Sequence, residues 1–247
     1  MSFVKTLLAA GVLALMTTLP AELAHAAGTT TSSSELIFDL SIKRPSPYWD
    51  GGVTRFRAVE TTVPRGGTVL LGDSITARWP VDKFPGENVV NRGIGSDRIG
   101  AWLYLGVIDR LYTSVEVAQP KRIFLMIGIN DMLPDGAPMG NLKNAYGYLL
   151  DRLQKIAPQA EIVVQSVLPV RKPEFHYMHA PIIELNAEIK RLAEQRGLKF
   201  VDLHARFKDD EGRLREELTN DGVHLSPAGY DLWLQVLTEE GLVPAQQ

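Results

Sequence analysis

The chain has 247 residues, of which 45% are hydrophobic and 22% are charged, a balance typical of a globular protein with a sizeable core. Its formal net charge is -3 and no segment concentrates lysine and arginine, so the sequence argues against a nucleic-acid partner. Cysteine is absent, which excludes disulfides, thiolate nucleophiles and cysteine-based zinc sites.

Residues 1–26 have the pattern of a signal peptide. Lys5 supplies the positive charge, residues 7–19 are apolar, and Ala24 and Ala26 give a cleavage site of small-x-small form. The apolar stretch is shorter than the roughly 20 residues that span a bilayer, so we expect no stable membrane insertion after cleavage near Ala26. The sequence therefore predicts a periplasmic or secreted protein, with an uncleaved membrane anchor as the alternative.

Residues 27–64 are predicted to form an N-terminal tether and packing segment. Residues 29–34 are rich in Thr and Ser, and residues 36–64 give no clear element pattern but are expected to pack on the outside of the domain. Residues 65–247 are predicted to form one domain, because neither an internal repeat nor a second domain can be found in them.

From Thr68 onward, short Val- and Ile-rich runs alternate with longer segments of helical periodicity, which is typical of βαβ units. Each run is nearly continuous in apolar character, as expected for strands that are covered on both faces. The predicted strands are Thr68–Leu71, Asn88–Asn91, Arg122–Ile127, Glu161–Val167 and Lys199–Asp202. The pattern predicts a three-layer α/β/α domain around a five-stranded parallel sheet.

Four helices are predicted among these strands. Apolar stripes of three- and four-residue spacing run from Leu142 to Ile156 and from Ile182 to Leu192, and Gly197 is the expected stop of the second. A less regular stripe predicts a helix over Trp102–Leu111. Ser226-Pro227 predicts the start of the last helix, because serine is a preferred N-cap and proline is favoured at the first helical position.

Small and polar residues follow the strands, at the edge where open parallel α/β sheets gather functional groups. Residues 72–74 follow the first strand, residues 91–97 the second and residues 128–131 the third, while residues 221–224 precede the last helix. We therefore expect serine, asparagine, aspartate and histidine to meet at one edge of the sheet.

Ser74, His224 and Asp221 have the residue types of a nucleophile, its base and the group that orients the base. A serine hydroxyl needs a base to remove its proton, and histidine is the usual base. The imidazole needs an acceptor at Nδ1, and Asp221 precedes His224 by three residues, within one turn of chain. The sequence predicts these three residues as catalytic.

An oxyanion hole is expected beside Ser74. Its candidate donors are the backbone N–H of Ser74, a backbone N–H from the turn 93–97 and the side-chain amide of Asn130. Each motif alone has a simpler explanation as a turn or a helix cap. Their joint occurrence at the strand ends favours a catalytic site over a set of unrelated turns and caps.

These blocks make the sequence resemble the SGNH (GDSL) hydrolase family. They read GDSIT around Ser74, NRGIGSD from Asn91, GIND around Asn130 and DGVHLSPAGY from Asp221. Within the family, NRGI, FLMIGIND, VVQSVLPV and DGVHLSPAGY look closest to bacterial sialate O-acetylesterase-like and platelet-activating-factor acetylhydrolase-like members. The resemblance runs from about Thr68 to Leu237 and implies a flavodoxin-like five-stranded sheet and no metal or organic cofactor.

The resemblance assigns the second backbone oxyanion donor to Ser96, where the family carries glycine. Gly95 stands immediately before Ser96, as though the two small residues that the family carries at these positions were in reversed order. A backbone N–H survives this replacement if the backbone angles suit a residue with a Cβ. The implied oxyanion hole is therefore Ser74, Ser96 and Asn130, with Gly95 as the alternative to Ser96.

The resemblance implies a serine esterase that acts on a small-molecule or glycan ester. Short-chain acyl groups, above all O-acetyl groups on carbohydrates, are expected by family analogy. A lipid esterase, lysophospholipase or thioesterase and an acyltransferase remain as alternatives, with a non-catalytic carbohydrate-binding protein as the alternative from another class. The oligomeric state is not predicted.

The loop after the fourth predicted strand is a further candidate for substrate contact. It carries Phe175, His176, Tyr177, Met178 and His179. These side chains either line an acyl or sugar pocket or belong to a surface loop with incidental aromatic residues. A metal site at the two histidines would need a third ligand, which the sequence does not identify.

Overall fold

The computed structural model describes residues 43–86 and 88–244. The predicted signal peptide, its cleavage site at Ala26 and the Thr/Ser-rich tract lie outside these residues, so they stay predictions. None of the helices in the described ranges combines the length and the apolar character that a membrane span requires.

Five parallel strands form one sheet in the order β2-β1-β3-β4-β5. The strands are β1 (Thr68–Gly72), β2 (Val90–Gly93), β3 (Arg122–Met126), β4 (Glu161–Gln165) and β5 (Lys199–Val201). Val69 lies between Val90 of β2 and Ile123 of β3, so the chain leaves β1 first to one side and then returns to the other. This flavodoxin-like order confirms the predicted fold class, and it creates a switch point between β1 and β3 where such sheets bind ligands.

Helices cover both faces of the sheet. In chain order they are α1 (Trp49–Ala58), α2 (Ser74–Ala77), α3 (Leu111–Ser114), α4 (Met139–Ile156), α5 (His179–Gln195), α6 (Leu203–Phe207) and α7 (Pro227–Glu239). The side chains of β1 alternate between the faces, so Val69 and Leu71 enter the core under α4 and α5, whereas Leu70 enters the core under α2, α6 and α7. The domain therefore has the predicted three layers.

The last helix is anchored close to the first strand. Ser226 caps α7 as predicted, because its Oγ accepts the N–H of Gly229 at 3.3 Å. Tyr230 of α7 donates its hydroxyl to the carbonyl of Ile75 in α2 at 2.7 Å, and Trp233 donates to the side chain of Gln165 at 2.6 Å. The turn before α7 is thereby held beside the helix that begins at Ser74.

Two predicted elements are wrong in part. The second strand runs over Val90–Gly93 and not Asn88–Asn91, because Asn88 has a φ of 55° that a strand cannot contain. Trp102–Leu111 is not one helix: Gly100 and Trp102 have positive φ values of 103° and 60°, and only a 3₁₀ turn at Val107–Arg110 precedes α3.

The remaining strand predictions are correct to within two residues. β1 extends one residue further than predicted, to Gly72, whereas β3, β4 and β5 stop earlier, at Met126, Gln165 and Val201. At the end of β5, Asp202 leaves the sheet because its side chain caps α6 by accepting the N–H of Ala205 at 3.1 Å.

A helix lies in the segment that gave no clear pattern. Trp49, Val53 and Phe56 of α1 form a buried stripe at four- and three-residue spacing and pack on Ile94, which follows β2. The Phe56 ring also stacks under the guanidinium of Arg92, 4.6 Å from its centroid. Two adjacent glycines in this helix lower its intrinsic propensity, so packing rather than propensity stabilises it.

We predict that Phe56→Ala lowers the free energy of unfolding by about 3 kcal/mol, because it opens a cavity under α1 and removes the ring beneath Arg92. Urea denaturation measures this change. Arg57→Ala, an exposed neighbour on the same helix, is the matched control and should have little effect. Equal unfolding midpoints for the two variants would contradict the packing described for α1.

Candidate active site

Ser74 begins α2 directly after β1. Asp73 turns the chain there, since its Oδ1 accepts the N–H of Ile75 at 2.9 Å and caps the helix. The end of β2 packs tightly on this turn: a Cβ on Gly93 would lie 2.2 Å from the backbone nitrogen of Ala77. Glycine is required at that position, and the close packing fixes the helix that presents the half-buried Ser74 at the sheet edge.

The three predicted catalytic side chains form a continuous hydrogen-bonded chain. The Oγ of Ser74 lies 2.9 Å from Nε2 of His224, and Nδ1 of His224 lies 2.7 Å from Oδ2 of Asp221. The other carboxylate oxygen of Asp221 accepts the N–H groups of Val223 and His224 at 3.0 and 2.7 Å. Gly222 makes the turn possible, because its φ is 83°.

The environment of Asp221 favours its charged form. Partial burial raises the pKa of this carboxyl, but the hydrogen bonds from the ring and backbone of His224 outweigh that effect and lower the pKa to about 2. Asp221 is therefore ionised at neutral pH. An ionised carboxylate at this position keeps the Nδ1 proton on His224 and leaves Nε2 as the acceptor for the hydroxyl proton of Ser74.

The residues that carry the expected oxyanion donors, Ser74, Ser96 and Asn130, line one cavity. Ser96 has a φ of 57°, the left-handed region that favours glycine, whereas Gly95 does not have a positive φ. A positive φ is the conformation that glycine adopts most readily, so the backbone angle favours Ser96 over Gly95 as the position that the resemblance assigns to glycine, at a cost of about 1–2 kcal/mol for a residue with a Cβ. Asn130 donates one N–H to the carbonyl of Asp97 at 2.9 Å, and a side-chain amide has a second N–H to offer.

A buried ion pair that the sequence analysis missed connects these parts. Arg110 donates from Nε and Nη2 to Oδ2 of Asp97 at 2.8 and 2.6 Å, and both side chains are fully buried. Nη2 also donates to the carbonyl of Gly72, two residues before Ser74, at 3.1 Å. One guanidinium therefore ties the end of β1 to the turn that carries Ser96. No sequence signal marks Arg110, because it lies in an irregular amphipathic stretch.

Three buried carboxyls lie around this site. Burial raises the pKa of Asp73 to about 7 and that of Asp131 to about 8. Burial also raises the pKa of Asp97, but only to about 6, because Arg110 opposes the effect. Asp131 accepts the N–H of Ile99 at 3.0 and 3.2 Å, so it holds the loop after β3 against the loop after β2.

Two cavities meet at Ser74, Ser96 and His224. The first, which we call the α1 cleft, has a volume of about 690 Å³ and is bounded by Tyr48, Arg55 and Arg78. The second, which we call the apolar pocket, has a volume of about 270 Å³. Its apolar lining residues are Ile129, Leu133, Phe175, Met178 and Val223. An ester bound at Ser74 thus has a separate cavity available on either side.

The loop after β4 contributes only part of its candidate residues to the site. Phe175 and Met178 line the apolar pocket, but His176, Tyr177 and His179 line neither cavity. The ring of His179 instead lies 3.0 Å from the carbonyl of Val170. Within residues 43–86 and 88–244, no group of three His, Cys, Asp or Glu side chains is arranged to hold a metal ion.

Comparison with known proteins gives one family. The family model described as GDSL-like Lipase/Acylhydrolase matches residues 70–232, which include all four sequence blocks. No curated protein matches the chain. The matched range thus includes the residues that the structure brings together at the sheet edge.

Solved structures of similar fold include several acylhydrolases. A proposed platelet activating factor from Streptococcus pneumonia is 27% identical, with a TM-score of 0.68 over 77% of this chain and 91% of its own. A GDSL-like lipase from Bacteroides thetaiotaomicron is 21% identical, with a TM-score of 0.66 over 76% of this chain and 96% of its own. A catalytic mutant of an acetylxylan esterase from Geobacillus stearothermophilus is 22% identical, with a TM-score of 0.57 over 74% and 99%.

We predict that the buried carboxyls make stability fall as pH rises from 5 to 8. Because the folded-state pKa of Asp131 lies above the unfolded value near 4, its stabilising contribution is complete below that value and is lost as pH rises through about 8. Asp131→Asn, which keeps an acceptor for Ile99, should make the free energy of unfolding depend less steeply on pH.

Urea denaturation at pH 5, 6, 7 and 8 measures this slope. The matched control is Asp210→Asn at an exposed position, which should keep the wild-type slope. If Asp131→Asn also keeps the wild-type slope, the protonation assigned to Asp131 is wrong.

Proposed function

Because the chain belongs to the GDSL-like lipase/acylhydrolase family and is a carboxylic ester hydrolase, we propose that it uses Ser74 as a nucleophile to remove short acyl groups, above all O-acetyl groups, from carbohydrates. The observation that carries the proposal is the hydrogen-bonded chain from Ser74 through His224 to Asp221, with contacts of 2.9 and 2.7 Å. That chain opens onto two cavities that can separate the acyl and alcohol parts of an ester.

The proposed reaction has two steps. Nε2 of His224 takes the proton of Ser74 as Oγ attacks the ester carbonyl carbon, and the resulting oxyanion accepts hydrogen bonds from Ser74 N–H, Ser96 N–H and the free amide N–H of Asn130. His224 then gives the proton to the alcohol oxygen as the carbon–oxygen bond breaks. Water then attacks the carbonyl carbon of the acyl-enzyme while His224 takes its proton. His224 returns that proton to Oγ of Ser74 as the bond between Oγ and the acyl carbon breaks, and the carboxylic acid leaves.

The substrate class rests on similarity and on the polarity of the two cavities. Two structural neighbours act on acetylated xylan or its oligosaccharides, at 18% and 21% identity. The α1 cleft is broad and carries polar and charged side chains, which suit a hydroxyl-rich alcohol part. Export to the periplasm or beyond, predicted from residues 1–26, belongs to this proposal and fits a polysaccharide outside the cell.

A second candidate is an esterase for longer acyl chains, such as a lipid esterase, lysophospholipase or thioesterase. The apolar pocket favours it, since about 270 Å³ lined by five apolar side chains exceeds what an acetyl group fills. The acyl part of the substrate separates the two candidates.

We predict that Ser74→Ala nearly abolishes hydrolysis of p-nitrophenyl acetate, because the acyl-enzyme cannot form. Asn130→Ala should lower kcat by on the order of a hundredfold, because one oxyanion donor is lost. Steady-state kinetics of the purified mature protein measure both effects. Normal activity in Ser74→Ala would contradict the assigned nucleophile.

We predict that kcat/KM for p-nitrophenyl esters is highest for acetate to butyrate and falls for longer acyl chains. A series from acetate to dodecanoate measures this dependence. A maximum at octanoate or beyond would contradict the short-chain proposal and support the second candidate, in which the apolar pocket binds an alkyl chain.

A further inference from the structure

The α1 cleft contains two arginines that have no counter-charge among the residues of the described ranges. Arg55 on α1 and Arg78 directly after α2 are exposed, and neither side chain makes a hydrogen bond or an ion pair with another described residue. Two other arginines near the site are engaged: Arg110 pairs with Asp97, and Arg98 pairs with Asp135. Within the part of the chain that the structure describes, the two guanidiniums therefore line the cleft without a paired anion.

The charge of the cleft is opposite to that of the whole chain. Of the described residues that line the cleft, none is Asp or Glu, although the formal net charge of the protein is -3. A guanidinium is planar and offers paired donors that match carboxylate and phosphate oxygens. A concave site with one sign of charge attracts the opposite charge. The cleft is suited to an anionic group.

The α1 cleft and the apolar pocket lie on either side of Ser74, so we can ask whether the anionic group belongs to the acyl part or the alcohol part of the ester. Ser74 and His224 line both cavities. Lys172 lines the apolar pocket on the other side, but its Nζ lies 3.9 Å from Oε1 of Glu174, and the carboxylate of Asp221 lines the same pocket. An acyl chain is apolar and fits the apolar pocket, so the alcohol part lies in the α1 cleft.

Tyr48 borders the same cleft with 62% of its surface exposed, and its ring lies against Gly95, where an added Cβ would be 3.2 Å from Cδ2. An exposed aromatic face beside two arginines suits an acidic sugar ring.

We infer that the alcohol part of the substrate is an anionic sugar, whose carboxylate or phosphate is bound by Arg55 and Arg78. This inference rests on the proposed esterase function and narrows its substrate class. The carboxylate of a uronic acid and the phosphate of a sugar phosphate share the chemistry that the two guanidiniums recognise, and a matched substrate series distinguishes them.

The test compares three acetylated methyl glycosides that differ at C6: a glucoside with a hydroxymethyl group, a glucuronide with a carboxylate and a glucoside 6-phosphate. Acetate release gives kcat/KM for each. Wild-type protein should favour an anionic sugar over the glucoside by roughly tenfold, the size expected from two partly exposed charge pairs. A larger gain for the phosphate or for the carboxylate identifies which anion the cleft prefers.

Variants assign the preference to the arginines. In the Arg55→Gln/Arg78→Gln double variant the ratio of anionic to neutral kcat/KM should fall to near one. Arg57→Gln is the matched control, because it removes the same charge from α1 outside the cleft, and it should keep the wild-type ratio. Raising the ionic strength from about 0.05 to 0.5 M should lower the ratio in wild-type protein and leave it unchanged in the double variant.

Two outcomes overturn the inference and leave the proposed function standing: a wild-type ratio near one, or a ratio that the double variant retains. A different outcome overturns the proposed function itself. If none of the three sugars releases acetate while p-nitrophenyl acetate is hydrolysed, the carbohydrate substrate class is wrong, and the inference about anionic sugars is wrong with it.

Discussion

The buried pair of Arg110 and Asp97 is the interaction on which the site geometry depends. One guanidinium bonds the carboxylate of Asp97 and the carbonyl of Gly72, so it fixes the turn of Ser96 relative to the strand that delivers Ser74. The backbone of Asp97 in turn holds Asn130. Removing one partner of a fully buried pair costs about 3–5 kcal/mol, because the other charge is left without compensation. The switch point between β1 and β3 creates the space for a site. The Arg110–Asp97 pair fixes the end of β1, which leads to Ser74, relative to the turn that carries Ser96.

The electrostatics of the site divide into two regions with different roles. Below the sheet edge, burial raises the pKa values of Asp73 and Asp131. These two carboxyls accept hydrogen bonds from backbone N–H groups and so stabilise the turns around the site. At the surface, Asp221 is kept ionised by His224, which suits a group that must stabilise a charged imidazole. Protonation of the buried carboxyls thus affects stability, while in the proposed mechanism the outer pair determines how readily Ser74 loses its proton.

Much of this arrangement could be predicted from the sequence, because it depends on local patterns. Continuous apolar runs predicted the five strands, and the three-residue spacing of Asp221 and His224 predicted the turn that joins them. What could not be predicted depends on contacts between distant residues. No local sequence pattern indicates that Arg110 hydrogen-bonds the carbonyl of Gly72. The buried apolar residues of α1 were not recognised as a helical stripe because two glycines lie between them. Trp102–Leu111 had the apolar content of a helix, but Trp102 has a positive φ and Gly106 is extended, so no continuous helix forms there. Because helix α1 was not predicted, the cleft that it borders was not predicted either.

The central claim is that Ser74 is a nucleophile activated by His224, and covalent labelling tests it most directly. A serine-reactive fluorophosphonate forms a stable bond only with an activated hydroxyl, and peptide mass spectrometry locates the modified residue among all serines of the chain. The account predicts stoichiometric modification of Ser74 in wild-type protein and none in the His224→Ala variant at the same exposure. Modification of another serine, or equal labelling of Ser74 in both proteins, would contradict it.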